Sequence, residues 1–327
     1  MFDYDSAKKE NIPCNLCGED NFLVLATRSK NNLDVQTCLC RNCGLIYINP
    51  RMTKGEYDNY YKYYYRIDRS NIKSKEEAGE EKNFENARKF GNDLATRLAQ
   101  YLNSGLTVDI GSSIGGILYG LREIIPGLEL LGVEPSVSES NHANLKGIKT
   151  INALFEDFAT KPIGQASNIL CVQTFNHLLD PRMFLEWSYK NLKSGGNLII
   201  AVKNFRHQVR KAGFIEAGVQ IDHPYMFAPE TLKFFVEAVG FKVLYLDVDE
   251  YKNRKELWVQ RQEGMHRGHI RIVAEKPENV SAGSNQVIMV PRVYRKLRLQ
   301  LFRPYVKLYY FVFHSSRFGR VRKFFGV

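Results

Sequence analysis

The feature that most constrains the fold of this 327-residue chain is a short apolar run followed directly by small residues. Residues 106–110 predict a buried strand, residues 111–116 (GSSIGG) predict a tight turn, and apolar residues at helical spacing follow from Ile114. A strand, a glycine turn and the start of a helix, in this order, let backbone approach a nucleotide-like ligand closely. The spacing of Gly111, Gly115 and Gly116 is by itself a weak signal.

Two acidic residues sharpen the prediction. Glu134 follows a second apolar run, residues 128–133, and lies nineteen residues after Gly115, where a carboxylate can accept hydrogen bonds from a ribose diol. Asp109, next to the turn, would repel the pyrophosphate of a dinucleotide. S-adenosylmethionine has a ribose and an adenine but no phosphate, and it carries sulfonium and ammonium cations. The two acids therefore favour this cofactor, and a strand–turn–helix unit packed without a ligand is the alternative.

Strands and helices alternate along the middle of the chain. Beyond the glycine strand, strands are predicted at residues 128–133, 148–151, 168–172, 198–202, 241–248 and 269–274. Helices are predicted at residues 75–102, 136–145, 181–192 and 229–239, in addition to the one that follows the glycine turn. This alternation predicts an α/β fold with a Rossmann-like, doubly wound sheet.

Two C-x-x-C-G sequences near the amino terminus predict a metal site. Each can form a tight knuckle in which glycine lets the chain turn while two thiolates face one ion, so Cys14, Cys17, Cys40 and Cys43 are predicted to hold a structural zinc. The 22 residues between Cys17 and Cys40 leave room for a hairpin, with strands at residues 22–26 and 33–37. Redox-active pairs or free thiols are the alternative.

Cysteines used as metal ligands favour a reducing cytoplasm. Neither a signal sequence nor a membrane-spanning apolar run is evident.

Six tyrosines occur between residues 57 and 65. They are expected either to pack as a helix or loop against the zinc ribbon or to form a lid whose rings enclose a cation or the acceptor. The predicted organisation is a zinc ribbon (1–50), a tyrosine-rich linker or lid (51–82), a catalytic domain (83–278) and a basic tail (279–327).

The net charge of +11 belongs almost entirely to the tail. No acidic residue follows Glu278, whereas ten Lys and Arg residues lie between Arg292 and Lys323. Apolar residues at three- and four-residue spacing interleave with them, which is typical of a helix lying on an anionic membrane surface, divided at Pro304. Residues 292–325 are therefore expected to bind such a surface, and packing on the protein or on a second subunit is the alternative. Nucleic acid is the third and least favoured partner.

The ordered motifs resemble those of class I S-adenosylmethionine-dependent methyltransferases. The resemblance rests on residues 109–115, Glu134, Asp157, residues 177–181 and 192–196, and a late segment at residues 223–232 followed by 239–241. With the cysteine-rich amino terminus, the chain is similar to bacterial methyltransferases that act on nucleotide-linked sugars or other small metabolites. The resemblance covers residues 12–275. It implies that the cofactor is bound by Asp109, Gly111, Ser113, Gly115, Glu134, Phe155, Asp157 and Gln173, with residues 155–157 bordering the adenine.

Two positions depart from the pattern of the family. Ser113 replaces the middle glycine of the turn, and Asn176 replaces a glutamate that often precedes the histidine. His177 and His223 both follow or precede predicted sheet ends that face the cofactor, so either is a candidate base for deprotonating the acceptor. A structural role in hydrogen bonding to backbone is the alternative for each. Tyr225 and Asn176 are candidates for positioning the acceptor, and Lys203 is a candidate for holding an acceptor phosphate.

The expected function is methyl transfer to a small acceptor, a nucleotide-linked sugar or a precursor of surface polysaccharide. The competing interpretation is a zinc-ribbon protein that binds or modifies RNA, which the nearly neutral ribbon disfavours. The expected location is the cytoplasm or the inner membrane face. Acceptor identity, methylated atom and oligomeric state are not determined by the sequence.

Overall fold

The structure is a computed structural model that describes residues 2–65, 80–160, 163–212, 214–248 and 268–278. The basic tail that is predicted to bind membranes lies outside the described residues, as does the first part of the helix predicted from Lys75. In the described part of the chain, no helix is both long and apolar enough to cross a bilayer.

Seven strands form the central sheet and confirm the predicted doubly wound α/β fold. They are β6 (Gly105–Ile110), β7 (Leu128–Glu134), β8 (Thr150–Asn152), β9 (Ala166–Val172), β10 (Leu192–Lys203), β12 (Lys242–Val248) and β13 (His269–Glu275). Their order across the sheet is β12-β13-β10-β9-β6-β7-β8. β13 runs antiparallel to both neighbours, whereas the pairs from β10 to β8 are parallel. The order reverses between β6 and β9, which is where ligands bind in open α/β sheets.

Eight α-helices accompany the strands in the described residues. They are α1 (Lys54–Tyr63), α2 (Glu80–Leu98), α3 (Gly116–Ile124), α4 (Val137–Leu145), α5 (Phe155–Phe158), α6 (Pro181–Asn191), α7 (Phe205–Ala212) and α8 (Pro229–Ala238). The sequence predicted most of them within a few residues, because polar caps and prolines mark their starts. Ser136 caps α4 by accepting from the Glu139 N–H, and Asp180 caps α6 by accepting from the Met183 N–H. Helix α6 ends at Asn191, and the glycines that follow lie in an irregularity within β10, between Leu192 and Asn197.

A second sheet joins the amino-terminal residues to the body of the protein. Its order is β11-β4-β3-β2, with β2 at Phe22–Arg28, β3 at Asp34–Cys40, β4 at Ile46–Ile48 and β11 at Tyr225–Met226. The two predicted hairpin strands are therefore present and longer than expected. β1 (Lys9–Glu10) pairs separately with β5 (Arg51–Met52). Because β11 comes from the segment before α8, the amino-terminal strands and the later part of the chain are hydrogen-bonded in one sheet.

The tyrosine-rich stretch forms helix α1. Tyr57 and Tyr60 are buried, and the Tyr60 ring packs edge-on against Phe2 with 5.1 Å between the ring centroids. Tyr57 and Tyr60 therefore have the packing role that was one of the two expectations for this stretch. The Tyr61 hydroxyl instead contacts the His177 ring, in the candidate site. Helix α7, which follows β10, was not predicted, because its sequence is basic and carries few apolar residues.

Candidate active site

The glycine turn between β6 and α3 adopts the conformation that its sequence predicts. Gly111, Ser113 and Gly115 have φ angles of +76°, +50° and +79°, in the left-handed region that glycine adopts without steric cost. A Cβ on Gly111 would overlap the side chain of Thr174, whose hydroxyl lies 3.2 Å from the Gly111 carbonyl oxygen. The turn after β6 thus packs directly against the loop after β9, at the point where the strand order reverses.

Two glutamates hold Ser113. The Ser113 N–H donates to Glu134 Oε2 at 2.9 Å, and its hydroxyl donates to Glu139 Oε2 at 2.7 Å. Glu134 Oε1 also accepts from the Ser136 N–H at 2.9 Å. Both glutamates are largely buried. The serine that replaces the usual glycine therefore keeps the turn and adds a hydrogen bond, and Glu139 is a residue that the sequence analysis missed.

Asp109 lies fully buried at the end of β6, and neither of its carboxylate oxygens has a hydrogen-bond partner among the described residues. Burial, with repulsion from Glu134 as a second cause, raises the pKa of Asp109 to about 8. A buried carboxylate without a partner is costly. A cation bound nearby would favour the charged form of this carboxyl, so Asp109 suits a cationic, phosphate-free cofactor.

The remaining predicted cofactor residues lie around this edge of the sheet with different exposure. The Phe155 ring is buried and packs on Phe184 and Trp187, with 5.4 Å between ring centroids in both cases. Asp157 is exposed on α5. Gln173 is exposed directly after β9 with a φ angle of +58°. Of these three, Gln173 is the one next to the loop that contacts the glycine turn.

The two candidate histidines lie together, although 46 positions separate them in the sequence. Their ring centroids are 4.6 Å apart and the planes are nearly perpendicular. Asp222 Oδ2 lies 3.9 Å from His177 Nδ1 and 3.8 Å from His223 Nε2. The Tyr61 hydroxyl lies 3.0 Å from His177 Nδ1, and the Gln220 side-chain nitrogen lies 3.2 Å from His223 Nδ1. Asp222 and Gln220 were not predicted, and the proximity of Asp222 to His223 in the sequence was the only available signal.

A small cavity, open to solvent, lies beside this pair. It is lined by Asn176, Lys203, Phe205, Gln208, His223, Tyr225 and Met226. The structure thus brings together Asn176, Lys203, His223 and Tyr225, four candidates from distant parts of the sequence. The Tyr225 hydroxyl is engaged by Arg51 and the Leu179 carbonyl oxygen, each at 3.3 Å, and burial raises the Tyr225 pKa. This tyrosine therefore serves as a wall of the cavity, and nothing in its surroundings favours it as a base.

The loop from Gln173 to His177 connects the cofactor turn to the histidines. Thr174 contacts Gly111, the His177 N–H donates to the Thr174 carbonyl oxygen at 2.7 Å, and Asn176 lines the cavity. One short stretch of backbone therefore contacts the glycine turn, lines the cavity and carries the His177 imidazole.

The four predicted zinc ligands converge. Cys14, Cys17, Cys40 and Cys43 place their sulfurs within 4.8 Å of one another, and the pairs Cys14–Cys43 and Cys17–Cys40 have Sγ–Sγ distances of 3.4 and 3.5 Å. Gly18 and Gly44 have φ angles of +78° and +82°. Each donates its N–H to the carbonyl oxygen of the first cysteine of its knuckle. Four converging thiols are the donor set of a closed tetrahedral zinc site, so the residues fit this metal.

The first knuckle is anchored to helix α6. The Asn15 side chain donates to Asp180 Oδ1 and accepts from the Arg182 N–H, each at 3.0 Å. The Arg182 guanidinium in turn donates to the carbonyl oxygens of Asn15 and Leu16. Because α6 begins three residues after Leu178, the thiol cluster is held against the segment that carries His177.

The chain is similar to several solved structures over part of its length. Among solved structures, a methyltransferase from Archaeoglobus fulgidus is 19% identical (65% of this chain, 100% of that chain, TM-score 0.46). A possible histamine N-methyltransferase from Thermotoga maritima is 18% identical (61% and 95%, TM-score 0.44). The plantazolicin methyltransferase BpumL, solved with S-adenosylhomocysteine and a desmethylplantazolicin analogue, is 14% identical (68% and 94%, TM-score 0.47). No curated protein sequence matches the chain significantly.

A methyltransferase domain family matches residues 81–246, which is half of the chain and includes the glycine turn, Glu134 and both histidines. The chain belongs to this family and is an S-adenosylmethionine-dependent methyltransferase.

Proposed function

We propose that the protein methylates a small acceptor bound in the cavity beside His177 and His223, and that a histidine removes the acceptor proton. The observation that carries this proposal is the pair of imidazoles, whose ring centroids are 4.6 Å apart: His177 is on the loop that contacts the cofactor turn, and His223 lines the cavity. An imidazole titrates near neutral pH, so it can accept a proton at the pH of the cytoplasm.

S-adenosylmethionine would be held by the carboxyl edge of β6, β7 and β9. In this proposal Glu134 would accept from the ribose hydroxyls, and the backbone of residues 111–115 would pass beneath the cofactor. Asp109, once ionised, would balance the positive charge of the cofactor. Gln173 lies at the same edge of the sheet. Phe155, which is buried, would contact the adenine from the protein core, and Asp157, which is exposed, would contact it from the surface. When bound, the cofactor supplies an electrophilic methyl group on a sulfonium. The chain supplies orientation, a base and exclusion of water.

The acceptor that fits best is a nucleotide-linked sugar or a related polysaccharide precursor. Lys203 and Gln208 offer a cation and an amide to an anionic, hydroxyl-rich ligand, and Asn176 adds a second amide. Phe205 and Met226 provide apolar surface on the opposite side. A cavity with one cation, two amides and an apolar wall suits a phosphorylated sugar better than a purely apolar substrate.

The experiment measures transfer of a labelled methyl group from S-adenosylmethionine by the full chain. The acceptors are a panel of nucleoside-diphosphate sugars and, in a separate reaction, total RNA. We expect label in at least one sugar nucleotide and none in RNA. His177→Gln should lower kcat by about 10²- to 10⁴-fold, the usual contribution of a positioned base. His142→Gln is the matched control. It removes an imidazole of α4 that lies 3.4 Å from the Glu80 carboxylate and does not line the cavity, so it should keep the wild-type rate.

Two results would overturn this proposal. One is methylation of RNA with no transfer to any sugar nucleotide. The other is wild-type turnover by both His177→Gln and His223→Gln at saturating acceptor, which would exclude a histidine base.

We further propose that the four thiols bind one structural zinc and that residues 292–325 attach the enzyme to anionic membrane surfaces. The domain division at residues 50, 82 and 278 is part of the same proposal. Sedimentation with anionic and neutral vesicles tests the tail. The full chain should pellet with anionic vesicles only, and a chain ending at Glu278 should pellet with neither. Equal pelleting of both proteins would rule out the tail as the anchor.

A further inference from the structure

The hydrogen bonds around His177 and His223 determine where each ring carries its proton, and this distinguishes the two candidate bases. The first of these bonds starts at Lys30. Its ammonium donates to Gln220 Oε1 at 2.7 Å, and an ammonium has donors only. The Lys30 N–H also donates to the Val219 carbonyl oxygen at 3.0 Å, so backbone holds Lys30 next to the amide. The orientation of the Gln220 amide is therefore fixed, with its oxygen toward Lys30 and its nitrogen toward His223.

The orientation of Gln220 fixes the tautomer of His223. The amide nitrogen of Gln220 lies 3.2 Å from His223 Nδ1 in a buried contact. Because this nitrogen can only donate, His223 Nδ1 must accept and carries no proton. The proton of the neutral ring is then on Nε2, the atom 3.8 Å from Asp222 Oδ2. Protonating His223 at Nδ1 would place two donors face to face, so this ring is a poor base.

Tyr61 fixes the opposite tautomer of His177. The Tyr61 hydroxyl lies 3.0 Å from the Asp222 carbonyl oxygen and 3.0 Å from His177 Nδ1. A carbonyl oxygen can only accept, so the single hydroxyl proton goes to Asp222, and the hydroxyl oxygen accepts from His177 Nδ1–H. Asp222 Oδ2, 3.9 Å from the same Nδ1, favours a proton at this position as well. The lone pair of the His177 ring is therefore on Nε2.

We infer that the two imidazoles hold complementary tautomers, so that His177 is the base through Nε2 and His223 is a hydrogen-bond donor to the acceptor through Nε2–H. Lys30, Gln220 and Tyr61 are positioning residues, which act through the imidazoles. The tautomers follow from the contacts alone, whereas the two catalytic roles rest on the proposed function.

The proton and electron balance is complete with these groups. The acceptor proton moves to His177 Nε2, and the electron pair left on the acceptor forms the bond to the methyl carbon. The bond between that carbon and sulfur breaks with its electron pair going to sulfur, which turns the sulfonium into a neutral thioether. The positive charge moves from the sulfonium to the His177 ring, next to the Asp222 carboxylate.

Nitrogen-15 NMR of the full chain, labelled at histidine, tests the tautomers without any acceptor. Correlations between ring protons and ring nitrogens distinguish protonated from unprotonated nitrogens at a pH where the rings are neutral. His177→Gln and His223→Gln assign the two spectra among the seven histidines. We expect unprotonated Nδ1 in His223 and unprotonated Nε2 in His177.

Two variants serve as controls for each other. Gln220→Glu replaces the donor to His223 by an acceptor, so the proton of His223 should move to Nδ1 while His177 keeps its pattern. Tyr61→Phe removes the acceptor for His177 Nδ1–H, so His177 should become a mixture of tautomers while His223 keeps its pattern. Merely structural damage would change both rings in both variants, and this outcome would overturn the inference, as would the reverse tautomer of either ring in the unaltered chain.

Activity separates the inference from the proposed function. His223→Gln retains a donor and should lose less than about tenfold in kcat, whereas His177→Gln should lose at least about a hundredfold. The expected tautomers with full activity in both variants would refute the histidine base and leave the hydrogen-bond assignment intact. Reversed tautomers with loss of activity would refute the assignment of roles and leave the proposed function intact.

Discussion

The thiol cluster and the cofactor turn both depend on glycines with positive φ, but they are assembled differently. In the thiol cluster, each knuckle spans only five residues, and all four ligands come from two such segments. In the cofactor turn, Gly111 contacts Thr174 from another strand end, and Ser113 is held by two glutamates from elsewhere. One site is encoded locally, whereas the other exists only after the central sheet has formed.

This difference determines how each region should respond to change. The free energy of metal binding stabilises the fold that brings the four thiols together. Removing a single ligand should therefore affect the whole amino-terminal sheet. In the cofactor turn, Glu134 already accepts from two backbone N–H groups and Glu139 from the Ser113 hydroxyl, whereas Asp109 lacks such a bond. Variants of the turn should therefore affect ligand binding more than folding.

The largest effect is expected for the thiol cluster. Cys40→Ser should release zinc and unfold the amino-terminal strands, because structural zinc contributes about 10 kcal/mol of binding free energy in small metal domains. The measurements are zinc content by mass spectrometry and the thermal unfolding midpoint. Cys38→Ser is the matched control, since Cys38 is buried in the same strand but lies outside the cluster. Full zinc occupancy in Cys40→Ser would disprove the assignment.

A pH dependence of stability is the next largest. Asp109 has a raised pKa of about 8, so between about pH 4 and pH 8 the native state binds a proton that the unfolded state has lost. The contribution of Asp109 to the free energy of unfolding should therefore be greatest below about pH 4 and fall as the pH rises to about 8, by up to ~1.4 kcal/mol per pH unit. Urea titrations without cofactor measure this slope. Asp109→Asn should flatten it, and the exposed Asp157→Asn should leave it unchanged. Identical slopes in both variants would contradict the expectation.

Gly111→Ala should weaken binding of S-adenosylhomocysteine at least about tenfold, or ~1.4 kcal/mol, because the new Cβ would displace Thr174 from the turn. Gly127→Ala is the control. Its φ angle of +97° imposes a similar backbone strain, but a Cβ there meets no atom within 4 Å. Calorimetry compares the two dissociation constants. If they changed equally, backbone strain rather than the contact between Gly111 and Thr174 would be responsible.

The smallest effect is expected for the ribose contact. Glu134→Gln removes a charged acceptor from Ser113, Ser136 and the proposed ribose hydroxyls, and it should weaken cofactor binding by about 1–2 kcal/mol. Glu129→Gln, on an exposed position of the same strand, should have no effect. Calorimetry showing equal affinity for both variants would move the ribose away from Glu134.

The sequence predicted most reliably what is local. The C-x-x-C-G pairs and the glycine turn each lie within a few residues, and the structure has them where they were expected. The helices predicted to begin near residues 136 and 181 also begin there. The sheet was predicted because apolar runs alternate with helical patterns.

The histidine cluster could be predicted only in part. His177 and His223 were candidates because each lies next to a predicted sheet end, but their proximity depends on how the loops cross above the sheet. Gln220 and Lys30 are 190 positions apart, and no periodicity relates them. Glu139 was missed because its role arises from the serine that replaces a glycine in the turn. Long-range polar contacts of this kind follow from tertiary packing and leave no pattern in the sequence.

The pairing of β4 with β11 has a consequence for how this enzyme can vary. The Ile48 N–H donates to the Pro224 carbonyl oxygen, and Tyr225 pairs with Tyr47. The two residues that follow His223 are therefore both paired with an amino-terminal strand. The amino-terminal segment is therefore not an exchangeable attachment. A graft of residues 80–278 onto a different amino terminus would leave Tyr225 and Met226, which line the acceptor cavity, without the strand that pairs with them. Substrate preference should therefore depend on both segments together.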